Sequence, residues 1–411
     1  MTSKLPLDGI RVLEYAQYVA GPFAGMLLAD LGADVIKIEP PAGDAWRRYE
    51  PFADGESRYF YALNRNKRSV VLDLSDPAGR AASESLIATA DAVLHNFPVQ
   101  RAARFGLDRD RVRELHPRAV WCCVSALGSD GPEAELTAFD LVAQALSGLL
   151  LANAQDSDSA PRRAGGIAMA DFTAGLLAAV AVLAGLVARA RDGAGGAAPG
   201  IEVSLLGAAL AVQAQRFVSV ESLDGPGRAA RLDGPELATR ADLEHHARAQ
   251  RAAEELEPYY RAYATSAGFF VLACLHERQR LAAASVLGLH DPWAANPQAP
   301  PADEAERERR VALVAEFERR LASGAARDWV ALFRAAGVPA AEVRILDQLF
   351  EHEQARANGL VQTVHRSGVG EVKLLGSLFK LDGAVAAPRR SVPGLGEHTE
   401  EVLARCATSQ R

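Results

Sequence analysis

Asp171 stands between two unlike stretches of chain. Ahead of it runs Ala164-Gly-Gly-Ile-Ala-Met-Ala170, small and apolar. Behind it, Leu176 to Val187 repeats apolar residues at helical spacing. A carboxylate at that junction has two readings. As a helix N-cap it gains about 0.3–1 kcal/mol from the helix dipole. As a reactive group it sits in a partly dry pocket, where backbone N–H groups of a helix start can stabilise an oxyanion formed on the same carboxyl.

A second constellation is cationic. Arg47, Arg48, Arg58, Arg65, Lys67, Arg68, Arg101 and Arg104 fall in loops or helix starts around the ends of expected strands. Several of them converging would hold phosphates through charge-assisted hydrogen bonds; the alternative is a solvated surface. Tyr59, Phe60 and Tyr61 interleave with these charges, as a pocket wall or as core. The nine histidines offer no nucleophile–base pair, and neither G-x-S-x-G nor H-E-x-x-H is present. His398, in Gly394-Leu-Gly-Glu-His398, reads as a capping or packing residue. No metal site is expected. The four cysteines, Cys122, Cys123, Cys274 and Cys406, lack ligand spacing and read as reduced thiols of a cytoplasmic protein.

These side chains need a frame. Gly9–Glu14 reads as a strand, Gly21-Pro22 opens a helix to Asp30, and Ala33–Ile38 reads as the next strand. Further strands are expected over Ser69–Asp73, Ala92–His95 and Ala119–Val124, with helices near Pro77–Ala90 and Arg109–Leu115. This alternation predicts an α/β fold, a Rossmann-like large domain with a mostly parallel sheet. Glu39 ends the second strand, where a ribose-binding acid would stand, yet the turn Ala16–Pro22 lacks G-x-G-x-x-G. No nicotinamide or flavin cofactor is therefore expected. Ile201–Ser219 reads as a helical run, and Ser222–Glu257 as a linker or surface excursion. A smaller α+β domain follows, with strands in Pro258–Tyr263 and Gly268–Cys274 and helices near Glu277–Leu287 and Ala305–Ser323. The expected division is a large domain over 1–200 completed by 385–411, a linker over 201–257, a small domain over 258–335 and a return linker over 336–384. Thr399–Arg405 reads as a short final helix.

The chain has 411 residues and a net charge of −7, which gives nucleic acid and anionic membranes nothing global to hold. Met1–Asp8, polar and Pro-containing, does not read as a secretory signal. Phe172–Ala188 falls short of the roughly 20 residues a membrane span needs and reads as a buried helix.

Read in order, several segments resemble the class III CoA-transferases, the formyl-CoA transferase and carnitine CoA-transferase (CaiB/BaiF) family. They are Leu7–Glu14, Ala20-Gly-Pro22, Leu28–Glu39, Asn64–Ser69 with Leu72–Leu74, Asn96-Phe97, Gly131-Pro132, Phe139–Ala145 with Ser147-Gly148, Ala170-Asp171 with Gly175, and Pro393–Thr399. The match spans nearly the whole chain and is weakest over Ser222–Glu257 and the Pro-rich loop after Asp291.

The resemblance implies a function. Asp171 matches the family's catalytic aspartate, which attacks an acyl-CoA to give an aspartyl anhydride and then an aspartyl-CoA thioester. Coenzyme A and a small carboxylic acid are the implied partners, with no metal. Ala20, Leu72, Asp73, Leu74, Ser75, Asn96, Phe97 and Arg104 match positions that contact coenzyme A. Val19, Tyr59, Phe139 and Asp140 match positions of the acyl pocket. Val19 and Phe139 imply a larger or less charged acid than oxalate. An interlocked homodimer is implied as well. The family's Gly-rich covering loop has no counterpart here, since Ser222–Glu257 holds Gly225, Gly227 and Gly234 but no run. The related α-methylacyl-CoA racemases carry a histidine where this chain has Phe139, which cannot exchange protons. A non-catalytic CoA-binding paralogue is the remaining alternative.

Overall fold

A computed structural model describes residues 4–53, 56–152, 166–193, 196–223 and 239–409. Two compact units emerge. The first holds the N-terminal residues to Leu150, then Arg162–Ala229, and takes the chain back from Phe350 onward; the second is built on Ala230–Leu349.

The first unit is a parallel sheet. Its strands are β1 (Arg11–Tyr15), β2 (Asp34–Glu39), β5 (Arg68–Val71), β6 (Ala92–His95), β7 (Val120–Ser125) and β8 (Gly200–Ser204), with a small β3 (Pro51–Ala53) and β4 (Glu56–Ser57) pair outside it. The order is β5-β2-β1-β6-β7-β8, every neighbour parallel. Counting the six sheet strands along the chain, this is 3-2-1-4-5-6, the dinucleotide-fold order whose direction of winding reverses between β1 and β6. Alternation along each strand builds two cores. Val12, Val35, Leu94 and Cys122 face one side, whereas Leu13, Ile36 and Val93 face the other.

On the first face lie α1 (Ala20–Asp30) and a long helix, Met169–Arg191. On the second lie Pro77–Ile87, Arg109–Leu115 and the final helix Thr399–Ser409, which contributes Val402 and Cys406. Pro22 is tolerated in the first turn of α1, where its missing N–H would be unpaired anyway. The Met169–Arg191 helix has 23 residues, so it exceeds the length expected from the sequence and would reach across a bilayer by length and composition; half of its most apolar window is buried in this fold.

Three expectations need correction. Ile201–Ser204 is not helical: it completes the sheet as β8 beside β7, and the helix Leu205–Ala211 begins only after it, so the sheet extends past residue 200. β7 would otherwise leave an open edge, and strand pairing overrides the apolar helical pattern. Within the presumed linker, Arg240–Leu256 forms a helix opened by a Thr239/Asp242 capping box. The return segment also holds an antiparallel hairpin, Val361–Arg366 with Gly370–Leu375. The glycines at 225, 227 and 234 lie outside the described residues.

The second unit packs helices Glu277–Val286, Glu304–Leu321 and Ala326–Ala335 on a three-stranded antiparallel sheet of Tyr260–Ala264, Phe269–Ala273 and Ala340–Glu342. Tyr259, Phe270, Phe317 and Phe333 form its core.

Candidate active site

Asp171 is the third residue of the Met169–Arg191 helix, not its cap. Ala168 holds the cap position and offers no side-chain acceptor. The missing acceptor comes from another helix, Asp140–Leu146. Ala170 N–H donates to Asp140 Oδ1 at 2.9 Å, and Asp171 N–H reaches the same oxygen at 3.4 Å. Gln144 Nε2 donates to Asp140 Oδ2 at 2.7 Å and to the Ile167 carbonyl at 3.3 Å, which locks the cap in place. Asp140 is 5% exposed, so the position expected to line the acyl pocket holds a carboxylate occupied with the helix start.

This has an electrostatic consequence. The helix-start donors that would stabilise a carboxylate are taken by Asp140. The Asp171 carboxyl has no hydrogen-bond partner among the described residues. Burial, and then the Asp140 charge, push its pKa from 3.8 to about 7. The result is a half-buried carboxylate whose basicity lies near neutrality.

Close helix packing sets where Asp171 points from. Gly175 lies one turn further along, and a Cβ there would come 2.6 Å from the Ala20 carbonyl. Phe23 and Phe172 meet edge to face at 5.0 Å across the same crossing. Ala20 therefore adjoins the second turn of the nucleophile's helix. Val19 is only 7% exposed and packs in the core. Tyr18, one residue earlier, carries an exposed ring.

The residues expected to contact coenzyme A gather at the carboxyl ends of the strands. Leu72–Ser75 follow β5, Asn96 and Phe97 follow β6, and Ala20 follows the β1 loop. That edge, at the reversal of winding, is where open α/β sheets bind ligands. The Asp73 carboxylate accepts from Ser75 N–H and hydroxyl, and the Arg80 guanidinium donates to the Leu74 and Ser75 carbonyls, so this loop is internally tied. Asn96 spends its amide on the Gln17 backbone, accepting from N–H at 3.1 Å and donating to C=O at 2.8 Å. Arg104 ends the short helix Val99–Arg104 and is exposed. His95 is buried beside Phe97, and burial drops its pKa to about 4, which keeps it neutral.

Half of the cationic cluster is spent inside the fold. Arg47 pairs with Glu39 at 2.7 Å, and Arg65 with Asp30 at 2.5 Å. Arg68 pairs with Asp34. Glu14 lies between Lys37 at 2.9 Å and Lys67 at 2.7 Å, and Lys37 also meets Asp44 at 2.8 Å. Apart from the partly exposed Asp34, burial costs these charges their hydration, and only pairing makes them tolerable. Burial lowers the Lys67 pKa to about 8 even with Glu14 beside it. Gly25 makes room for the group, since a Cβ there would fall 1.9 Å from Glu14 Oε2. Glu39, the candidate ribose acid, is consumed by Arg47 and Ser69. Arg48, Arg58, Arg101 and Arg104 remain exposed. His398 exchanges bonds with the Ser69 backbone and so stitches the C-terminal segment to β5.

Tyr59 and Phe139 belong to one aromatic group. Trp46 meets Tyr49 at 4.8 Å, Tyr59 at 5.1 Å and Tyr18 at 5.6 Å; Tyr18 meets Phe139 at 5.4 Å. Sequence reasoning missed Tyr18, Trp46 and Gln144. Only Gln144 left a signal, four residues beyond Asp140 on one helix face. No group of three potential metal-ligating side chains occurs among the described residues.

The family described as CoA-transferase family III matches residues 7–399. The succinate–glutarate CoA-transferase of Agrobacterium fabrum is 31% identical over 99% of this chain and 97% of its own length. The succinyl-CoA:glutarate CoA-transferase of Mus musculus is 30% identical over 98% of this chain and 86% of its own. A crystal structure of a CaiB/BaiF family protein from Brucella suis superposes with a TM-score of 0.74 at 28% identity, covering 98% of this chain and all of that one.

Proposed function

Because the chain belongs to CoA-transferase family III, we propose that its transfer of coenzyme A from an acyl-CoA to a carboxylic acid runs through the Asp171 carboxylate. One Asp171 oxygen attacks the thioester carbonyl, and CoA leaves as thiolate, giving a mixed anhydride. The thiolate then attacks the aspartyl carbonyl, releasing the donor's carboxylate and leaving an aspartyl-CoA thioester. The acceptor carboxylate attacks that thioester, and thiolate returns to the new acyl carbon, which restores Asp171. Each step exchanges one acyl–oxygen or acyl–sulfur bond for another, so no oxidant, metal or nucleotide is consumed.

The observation that carries this reading is the state of Asp171: the N–H groups of Ala170 and of Asp171 itself are given to Asp140, and its pKa is raised to about 7 by burial and the Asp140 charge. A more basic carboxylate attacks an acyl carbon faster, and acylation removes the repulsion from Asp140. A partly dry site also protects both hydrolysable intermediates.

The crevice beside Leu72–Ser75, Asn96, Phe97 and Arg104 is the proposed seat of coenzyme A. Relatives named for succinate and glutarate make succinyl-CoA and glutarate the first pair to assay. A homodimer is proposed, because Leu141, Leu146, Leu176, Val180 and Val187 present exposed apolar area on neighbouring helices of the first unit. Four free, buried cysteines are consistent with the proposed cytoplasmic setting.

The test is chemical trapping. Incubation with succinyl-CoA, then hydroxylamine or borohydride, should modify the peptide holding Asp171, and Asp171→Ala should abolish both label and transfer. Transfer that proceeds with no label on Asp171 would overturn the covalent scheme.

A further inference from the structure

We infer that Tyr18 selects the acyl group and favours planar apolar acids over aliphatic ones of similar size, an inference that rests on the Asp171 transfer reading. Tyr18 has φ 68°, a left-handed conformation that bulky side chains avoid. Surrounding bonds enforce it. Its N–H donates to Asp44 Oδ1 at 3.4 Å, and Asp44 is itself paired with buried Lys37. On its other side, Asn96 clamps both backbone groups of Gln17. Glycine would sit there unstrained, so a strained tyrosine over-determined by its neighbours points to use of the ring.

The ring stands in a definite place. It is 37% exposed and sits on the β1 loop at the reversal of winding. It stands edge-on to Trp46 at 78° and to Phe139 at 77°. Among the described residues it joins Phe139 to the Trp46, Tyr49 and Tyr59 group, making one wall of five rings. Phe139 directly precedes Asp140, which binds the Asp171 N–H, and Ala20, two residues after Tyr18, abuts the next turn of the same helix. The wall therefore starts beside the nucleophile. Edge-to-face contacts leave ring faces and edges to receive another planar group.

The experiment compares Asp171 labelling rates from phenylacetyl-CoA and hexanoyl-CoA in the full-length protein, with succinyl-CoA as a reference. Wild type should favour phenylacetyl-CoA. Tyr18→Phe should keep that preference. Tyr18→Gly, relieved of strain, should melt no lower than wild type and lose about tenfold in the ratio; Tyr18→Leu, which keeps bulk without the ring, decides the matter should the glycine variant misfold. A wild-type preference for hexanoyl-CoA, or an unchanged ratio in both ring-less variants, overturns the inference while leaving Asp171 transfer intact. Labelling of Asp171 by none of the three thioesters fails the underlying reading instead.

Discussion

Replacing Asp171 by asparagine should stabilise the protein at neutral pH while abolishing transfer. Asn keeps the shape and leaves the Asp140 cap on the Ala170 N–H untouched. The sign follows from linkage. The folded state holds the Asp171 proton up to about pH 7, whereas the unfolded chain loses it near 3.8. Between those values the folded state binds more protons, so wild-type stability falls as pH rises from about 4 to 7 and stays lowered above that. About three pH units separate the two values, each worth about 1.4 kcal/mol, which sets a ceiling of about 4 kcal/mol. Asp171 is half-buried, so solvent screening brings the expected figure to about 2 kcal/mol. The Asn variant carries no such penalty. Thermal unfolding followed by circular dichroism at half-unit steps from pH 5 to 8.5 should show the gap between the two melting curves narrow from pH 7 toward pH 5, closing only near pH 4. At pH 8 the variant should melt about 4 °C higher, the shift expected for a unit of this size. An Asn variant that melts lower than wild type at pH 8, or with a gap independent of pH, would refute the picture of a nucleophile held above its usual pKa.

Asp140→Asn retains an oxygen to accept from Ala170 but removes the charge, so the acid limb of the transfer pH profile should move down by about one pH unit; an unmoved limb would leave burial as the sole cause of the raised pKa. Glu14→Gln strips a charge from between Lys37 and Lys67 and should cost about 3 kcal/mol in a urea titration, with a shift under 0.5 kcal/mol counting against the buried ion network as a structural element. Gly175→Ala puts a methyl 2.6 Å from the Ala20 carbonyl and should cost about 1–3 kcal/mol together with at least tenfold in transfer rate, because the crossing that seats Asp171 must open. Full activity in that variant would show that the crossing does not position the nucleophile.

The elements around the site were legible because their periodicities are strong. Val12 and Leu13 alternate between two cores just as β1 is expected to do, and the helix Arg109–Leu115 appears at its expected bounds. The rest was hidden by long-range pairing. Ile201–Ser204 is apolar enough for a helix, and only the open edge of β7 makes it a strand. Among the described side chains of Arg240–Leu256 the buried ones are Leu243 and Ala247, four residues apart, and its Thr239/Asp242 cap was the overlooked local signal. The buried half of the cations was hidden for the same reason. Lys67, Arg65 and Arg68 look like phosphate ligands until Glu14, Asp30 and Asp34, some 34 to 53 residues away, are brought against them. What those pairs do instead is fix the frame: Arg68 and Asp34 join the starts of β5 and β2 at the amino edge of the sheet, whereas the Glu14 network holds the loops at the carboxyl edge. Lys37 and Asp44 fix the backbone of Tyr18, and Lys67 ties Glu14 to the Pro22 carbonyl in the first turn of α1. That helix abuts the start of the Asp171 helix at Gly175. The buried charges thus act on the chemistry at one remove: paired with one another, they set the backbone on which both the nucleophile and the aromatic wall are mounted.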